Sequence, residues 1–333
     1  MSAETFWRAV AERLNAGTTV YVAMVVANTR GSPGTLGARL LVAADGHVEG
    51  TIGGGIMEAN LVEQARQSLH AGGDDPPRLQ HLVHRKELGP RRRETHQSSG
   101  LICAGEQTNL GLVLKPHIHR ESINRFCQAL DDQASQAATL DIDARGLDVT
   151  MDAATQVEPG MHLVDNEQGW RYRESSVNPL RLVVVGGGHC GKALAGLALQ
   201  LGYWVDVYDT RSGVLHDDQW PQQARRHLLA DYSELGAQLR HPAHSTVVVM
   251  TAAVTHDITA LASVANIDLR WLGVMGSAAK IHEIRSQLQA RGVSRKRMDA
   301  IHGPIGARIK SDTPAEIAVS ITSELLAGRR GEK

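Results

Sequence analysis

The residue types best suited to chemistry stand in one stretch of the chain, where three glycines have the spacing G-x-G-x-x-G. They are Gly186, Gly188 and Gly191, and Asp209 follows them. Glycines at such a turn let the backbone approach a diphosphate, and the helix that follows supplies free N–H groups and a positive dipole end. An acid about 20 residues further on can accept a hydrogen bond from a ribose hydroxyl. The spacing therefore predicts a dinucleotide-type site; the alternative is a turn of the same shape that binds another phosphate ligand or nothing.

Two further side chains beside this turn are candidates for contacts with an anion. His189 lies inside the turn, where it can reach a ligand phosphate or remain solvated. Arg211 has a guanidinium fork that matches phosphate oxygens. Asp209 favours a free 2′-hydroxyl whereas Arg211 can hold a 2′-phosphate, so the sequence leaves the choice between NAD and NADP open. Cys190 opens the helix, and we expect it to pack under the turn.

A second glycine-rich turn, Gly53-Gly54-Gly55, leads into a helix expected from about residue 57 to residue 69. Successive backbone N–H groups at such a turn can form an anion-binding nest. The alternative is a tight turn whose residues need positive φ. Arg39, in a hairpin predicted around Asp45-Gly46, is the other arginine suited to contact an anion.

The elements that must position the first turn are typical of a parallel sheet. Buried apolar runs predict the strands, and a 3.6-residue periodicity after the glycine turn predicts a helix. The predicted strands occupy 182–185, 204–208, 246–250 and 269–275. Their carboxyl ends should open on one edge, where ligands bind in such sheets. The other residues expected in that crevice are His256, Gly276, Ser277 and the 301–306 loop.

The predicted fold class is α/β, with two domains. Residues 1–176 are typical of an N-terminal mixed α+β domain, and residues 177–333 of a C-terminal Rossmann-like domain built on a parallel sheet. The N-terminal half opens with an amphipathic helix at 4–16. A later helix, at 120–133, is expected to carry Cys127 into the core.

Composition excludes several classes of function. The net charge of −1 provides no overall field that favours nucleic acid or an anionic membrane. No segment approaches the roughly 20 apolar residues that span a bilayer. The three cysteines, Cys103, Cys127 and Cys190, are odd in number and scattered, which argues against a disulfide framework and for a reducing compartment. We expect a cytoplasmic protein.

Several separated segments resemble one protein family. The segment RGSPGTLGARLLVAADGHVEGTIGGGIMEA and the element LICAGE are similar to the family's N-terminal half. Its Rossmann half is matched, in order, by VVVGGGHCG, DVYDTR, VTHD, GVMGS and HGPIGARIKSDTPAEIAVSI. On these motifs the chain resembles the XdhC/CoxI family, accessory proteins of xanthine dehydrogenase and related molybdenum hydroxylases.

The resemblance implies a protein that binds the molybdenum cofactor (molybdopterin), protects its sulfurated form and delivers it to a xanthine dehydrogenase-type molybdenum hydroxylase. It also implies a cysteine desulfurase as a second partner that supplies the sulfur. Cys103 is the implied ligand of the metal or of its terminal sulfur, because a thiolate is a soft ligand and nucleophile. Glu58 can then bind a pterin amine or, alternatively, cap its own helix.

This chain departs from the family pattern beside both motifs of the N-terminal half. Many members carry a cysteine after the triple glycine, where this chain has Ile56, and Cys103 is followed by Ala104 instead of glycine. If paired thiols hold the metal or its sulfur, one of them remains here. The departure bears on sulfuration of the cofactor more than on binding, and it also fits a branch that serves a different hydroxylase.

Two other functions fit the same crevice: an NAD(P)-dependent oxidoreductase, and a redox- or nucleotide-sensing binding module. A hydride-transfer enzyme needs a positioned His, Lys or Tyr, and His256 is the one good candidate in the sequence. A maturation chaperone, by contrast, needs no turnover of its own. Glycine-rich turns in both halves suggest a site where the halves meet, in a homodimer. The client hydroxylase, and whether a dinucleotide binds in addition to or instead of a pterin, are left open.

Overall fold

A computed structural model describes residues 2–83, 97–98, 105–130, 136–153 and 157–329. The chain divides into two compact units, Met1–Val177 and Asn178–Lys333. The expected fold class is confirmed: largely antiparallel sheets and helices form the first unit, and a six-stranded parallel sheet forms the second.

The first unit contains two sheets. Its helices are α1 Ala3–Asn15, α2 Gly55–His70 and α3 Pro116–Ala129. Its strands are β1 Val20–Asn28, β2 Arg39–Ala43, β3 Val48–Gly50, β4 Arg78–Val83, β5 Gln97–Ser98, β6 Glu106–Leu114, β7 Gln136–Asp143, β8 Gly146–Ala153, β9 Met161–Asn166 and β10 Gly169–Ser175. The strand orders are β3-β2-β1-β6-β4-β5 and β8-β7-β10-β9, with β4 and β5 parallel and the other pairs antiparallel. The predicted hairpin joins β2 to β3, with Gly46 at φ 92°.

Strand β1 is the central element of the first unit because both of its faces are buried. Val20, Val22 and Met24 pack with α1, α3 and side chains of the second sheet. The alternating Tyr21 and Ala23 face α2 on the other side. Side chains alternate along a strand, so an uninterrupted apolar run is what a strand between two helical layers requires. This layering leaves the glycine turn before α2 at the edge of the packed core.

Cys127 lies in α3 and is buried, as the helical pattern predicts. Its Sγ donates to the Trp7 carbonyl at 3.2 Å. Burial raises the pKa of the thiol to about 11. At about pH 8.5, where half of a free cysteine is ionised, this thiol therefore stays protonated. The prediction that Cys127 is core packing is confirmed.

Cys127 is therefore expected to resist alkylation in the native protein, because the thiolate is the reactive form. In a Cys103→Ser/Cys190→Ser variant, iodoacetamide at about pH 8.5 should label less than a tenth of the protein by mass spectrometry, and label it fully in denaturant. If iodoacetamide labelled Cys127 as fast in the native protein as in denaturant, the buried position would be contradicted. The unfolded thiol ionises at a lower pH than the folded one, so this group lowers the free energy of unfolding as the pH rises from about 9 to about 11.

The second unit is a parallel sheet covered by helices on both faces. Its strands are β11 Arg181–Val185, β12 Trp204–Asp209, β13 Arg225–Leu228, β14 Ser245–Val249, β15 Trp271–Val274 and β16 Ile301–His302. They pair in the order β13-β12-β11-β14-β15-β16, all parallel. Its α-helices are α4 His189–Gln200, α5 Ser212–Leu215, α6 Leu235–Gln238, α7 Val254–Val264, α8 Ala278–Ala290, α9 Arg295–Asp299 and α10 Pro314–Arg329. Counted from β11, this is the Rossmann order 3-2-1-4-5-6, whose switch point lies between β11 and β14.

Candidate functional site

The three glycines of the second unit's turn have different roles. A Cβ added at Gly186 would lie 2.5 Å from the Met250 carbonyl oxygen, and one added at Gly191 would lie 2.1 Å from the Gly186 oxygen. These two glycines are therefore required by packing between β11, β14 and α4. A Cβ at Gly188, in contrast, would meet no described atom within 4 Å. Gly188, the N-cap of α4, is the position where a ligand can approach the backbone.

The Asp209 carboxylate holds this turn by accepting a hydrogen bond from its backbone. It is fully buried at the carboxyl end of β12. Its Oδ2 accepts from the Gly187 N–H at 2.7 Å and from Arg211 Nη2 at 2.7 Å. Its Oδ1 accepts from the Arg211 backbone N–H and from Arg211 Nε, both at 2.9 Å. The acid thus ties the glycine turn to the arginine two residues away.

The charge of Asp209 is stabilised in spite of its burial. Burial opposes ionisation, but the hydrogen bonds from Arg211 and from the Gly187 N–H outweigh it and hold the pKa of the carboxyl below its ordinary value. The Arg211 side chain is 45% exposed. The residue that faces solvent at this strand end is therefore the arginine and not the acid.

His256 lies near this pair, on the first turn of α7. Its exposed ring is 5.4 Å from the ring of Tyr232, centroid to centroid. Burial, followed by the charge of Asp209, raises the pKa of Tyr232, which places the phenol beside the same acid. His189 is exposed at the start of α4. Cys190 is half-buried against the core, and burial raises the pKa of its thiol, in agreement with the expected packing role.

A second polar cluster stands at the carboxyl end of β14, and its lysine was not singled out in the sequence. Asp257, fully buried, accepts from the Thr251 N–H at 2.9 Å and from Thr251 Oγ1 at 2.6 Å. Lys280 Nζ, from α8, lies 2.5 Å from Asp257 Oδ2. The two groups form an ion pair, but their geometry is not that of a hydrogen bond. A Cβ at Gly276 would lie 2.6 Å from Lys280 Cδ, so this glycine makes room for the lysine. Asp257 therefore binds Thr251 and Lys280, neither of which follows from local sequence.

The remaining predicted residues at this edge have structural partners. The Ser277 hydroxyl accepts from the Lys280 N–H at 3.2 Å and caps α8. In the 301–306 segment the His302 ring stacks on Trp271 at 4.8 Å, and the Gly306 N–H donates to Glu324. The Gly188 turn and Arg211 therefore follow the carboxyl ends of β11 and β12, and Thr251 and Lys280 lie beyond those of β14 and β15.

The triple-glycine turn of the first unit has positive φ throughout, at 126°, 74° and 69° for Gly53, Gly54 and Gly55. Glu58 fills it from within. One oxygen, Oε2, accepts from Thr51 Oγ1 at 2.6 Å, the Ile52 N–H at 2.9 Å and the Gly54 N–H at 3.1 Å. Of the two roles predicted for Glu58, the structure supports capping.

A buried glutamine joins this turn to the preceding loop. Gln107 Nε2 donates to the Ile52 carbonyl at 3.1 Å, and Gln107 Oε1 accepts from Ser32 Oγ at 2.9 Å and from the Gly34 N–H at 3.0 Å. Ile56, directly after the glycines, is 60% exposed. The other predicted member of this group, Cys103, lies outside the described residues, as does Ala104.

Arg39 does not have the predicted role of an anion contact. Its guanidinium is buried in the first unit, with Nη2 2.6 Å from Glu174 Oε1. The two side chains are 4% and 2% exposed. Trp7 Nε1 and the Tyr172 hydroxyl also donate to Glu174, at 3.1 and 2.8 Å. Arg39 therefore neutralises a buried acid that joins the two sheets and α1.

Neither a metal cluster nor a membrane span occurs within the described ranges. No group of three or more His, Cys, Asp or Glu side chains there is placed to hold a metal ion. None of the helices in this part of the chain combines the length and apolar character needed to cross a bilayer.

Comparison with known proteins places a family match in each unit. Residues 182–325 match the XdhC Rossmann domain, and residues 13–81 match the XdhC and CoxI family. YqeB of Escherichia coli K12 is 25% identical over 302 residues, which are 90% of this chain and 42% of that protein. A Bacillus subtilis protein described as a probable xanthine dehydrogenase subunit is 27% identical over 150 residues, 45% of this chain and 43% of that one. The chain thus spans about two fifths of the length of these relatives.

A solved structure has the same fold. A Bacillus halodurans protein described as a xanthine dehydrogenase superposes with a TM-score of 0.72 at 20% identity, covering 100% of this chain and 97% of that chain. Both family matches contain a glycine turn that leads into a helix, at Gly53–Gly55 and at Gly186–Gly191. The chain belongs to the XdhC and CoxI family.

Proposed function

We propose that this protein is an accessory factor in the maturation of a xanthine dehydrogenase-type molybdenum hydroxylase. In this role it binds the molybdenum cofactor, protects its sulfurated form and delivers it to the apoenzyme. The observation that carries the proposal is the family match in both units, each over a glycine turn that opens a helix. The names of the relatives from the two Bacillus species support the association with xanthine dehydrogenase.

The residues of the second unit fit the phosphate end of such a cofactor. Gly188 leaves its backbone open to a ligand, at a helix start that favours anions. Arg211 presents an oriented guanidinium beside it. These groups bind and orient the ligand; the bound cofactor supplies the molybdenum centre and its terminal sulfur. We propose Cys103 as the soft ligand for that centre, on the strength of the family resemblance.

The proposed partners follow from this role. A molybdenum hydroxylase receives the cofactor, and a cysteine desulfurase provides the sulfur atom. A homodimer, in which each copy contributes to a shared site, also stays a prediction. Its test is the molar mass in solution: a monomer with full ligand affinity would remove it.

The test is purification after co-expression with molybdenum-cofactor synthesis. The wild-type protein should retain a pterin that becomes fluorescent after oxidation. Cys103→Ser should lower the pterin content, because a hydroxyl does not replace a thiolate as a soft ligand. Cys127→Ser is the matched control: its hydroxyl can still donate to the Trp7 carbonyl, and the pterin content should stay at the wild-type level. A wild-type protein without pterin would contradict the proposal.

One observation favours a second function, an NAD(P)-dependent oxidoreductase. Lys280, held by Asp257 at the carboxyl end of the sheet, is a positioned candidate proton donor in addition to His256. This function would be preferred if no pterin co-purified, NAD(P)H bound with micromolar affinity, and Lys280→Gln abolished turnover of a carbonyl substrate without weakening cofactor binding.

A further inference from the structure

The acid at the end of β12 has no acceptor capacity left for a ribose. A carboxylate offers about four acceptor positions. Asp209 uses all four within the second unit: two bonds go to the Arg211 side chain, one to the Arg211 N–H and one to the Gly187 N–H. The carboxylate is also fully buried. A ribose diol at this position would have to break bonds that already stabilise the turn.

Arg211, in contrast, has donors to spare. A guanidinium carries five N–H groups, and Asp209 accepts from two of them. Within the described residues no side chain accepts from the other three, and 45% of the arginine side chain is exposed. Because Asp209 fixes the plane of the guanidinium, little side-chain freedom remains to be lost when an anion binds.

The surroundings of Arg211 suit a dianion. Tyr232 lies beside Asp209 and Arg211, and the exposed ring of His256 lies against Tyr232. The Asp231 carboxylate accepts from the Ser233 N–H. The hydrogen bonds from Ser233 and, to a smaller extent, the charge of His256 hold the pKa of this carboxyl below its ordinary value. The strand end thus presents an oriented guanidinium and an imidazole, next to the open Gly188 turn.

We infer that Arg211, positioned by Asp209, selects ligands that carry a phosphate monoester over ligands that present a free ribose diol. The inference rests on the proposed role of the Gly188 turn as the phosphate site. Two sources offer this chemistry: the 2′-phosphate of NADPH and the terminal phosphate of molybdopterin. NAD, which has a free diol, is the ligand that this arrangement disfavours.

The first arm of the test titrates the protein with NADPH and with NADH. A charge-assisted hydrogen bond contributes enough for about a 10- to 100-fold preference for NADPH. Arg211→Met should reduce NADPH affinity to that for NADH and leave NADH affinity unchanged. Arg211→Lys keeps the charge but not the fork, and should recover part of the preference. Arg291→Met, an exposed arginine at the end of α8, should change neither affinity.

The second arm identifies the source by measuring pterin in the same variants after co-expression. A pterin content that falls in Arg211→Met but not in Arg291→Met supports the inference with molybdopterin as the source, even if neither dinucleotide binds. Equal or tighter binding of NADH by the wild type overturns it, as does the absence of any Arg211→Met effect in both arms. A clear NADPH preference without any pterin in the wild type would support this inference and refute the maturation role alone.

Discussion

Gly188→Val is expected to lower the affinity for any phosphorylated ligand of the second unit by at least about 100-fold while the protein stays folded. Gly188 has φ −65° and ψ −171°, which a residue with a side chain can adopt. A Cβ there meets no described atom within 4 Å. The branched side chain would instead fill the space of the ligand and remove several charge-assisted bonds of about 1.5–3 kcal/mol each. Calorimetric titration with NADPH or pterin, and circular dichroism for the fold, give the two readouts.

Two other glycines provide the controls. Gly328→Val places the same side chain in open space near the end of α10, so ligand affinity should be unchanged. Gly191→Ala should instead destabilise the unit, by about 1–3 kcal/mol or more for overpacking, because the new Cβ would lie 2.1 Å from the Gly186 oxygen. Ligand binding that survives Gly188→Val would show that the site lies elsewhere.

Arg39→Met is expected to destabilise the protein by about 3–5 kcal/mol, because it leaves the buried Glu174 carboxylate without its counter-charge. Both side chains are almost fully shielded from solvent, so water cannot replace the lost partner. The donors that remain, from Trp7 and Tyr172, satisfy hydrogen bonds but do not neutralise the charge. Urea unfolding followed by circular dichroism measures the change in the free energy of unfolding.

The matched control is Arg8→Met in the exposed pair of Arg8 with Glu4, whose side chains are 51% and 34% exposed. Its effect should stay within about 1 kcal/mol. Adding Glu174→Gln to Arg39→Met should restore part of the loss, since the amide removes the uncompensated charge. An Arg39→Met loss no larger than that of Arg8→Met would show that the buried pair is not needed for stability.

The sequence predicted four strands of the second unit, β11, β12, β14 and β15, because these strands are mostly apolar. Strand β13 was missed because Arg225 and His227 make it polar. In the structure both residues donate to Asp206, which is buried in β12, at 2.8 Å. The polar residues of this edge strand are therefore stabilised by an acid on the neighbouring strand. Hydrophobic periodicity in the sequence does not show which residues pair between strands.

The candidate site was predictable where partners are close in sequence. Asp209 and Arg211 are two residues apart, and both were singled out. Lys280 and Asp257 are separated by a strand and a loop, so their pairing depends on the packing of α8 beside α7. Arg39 was assigned to a ligand for the same reason: its partner Glu174 lies 135 residues away. A single sequence does not show which charged residues pair when they lie far apart in the chain.

The capped triple-glycine turn has a consequence for selectivity. The Glu58 carboxylate already occupies the amides of Ile52 and Gly54, so the turn contains an internal anion. An external anion must displace a tethered carboxylate whose effective concentration is on the order of millimolar or more. Free chloride or inorganic phosphate competes poorly with such a neighbour. We therefore expect this turn to accept an anion only as part of a larger molecule that is anchored by further contacts.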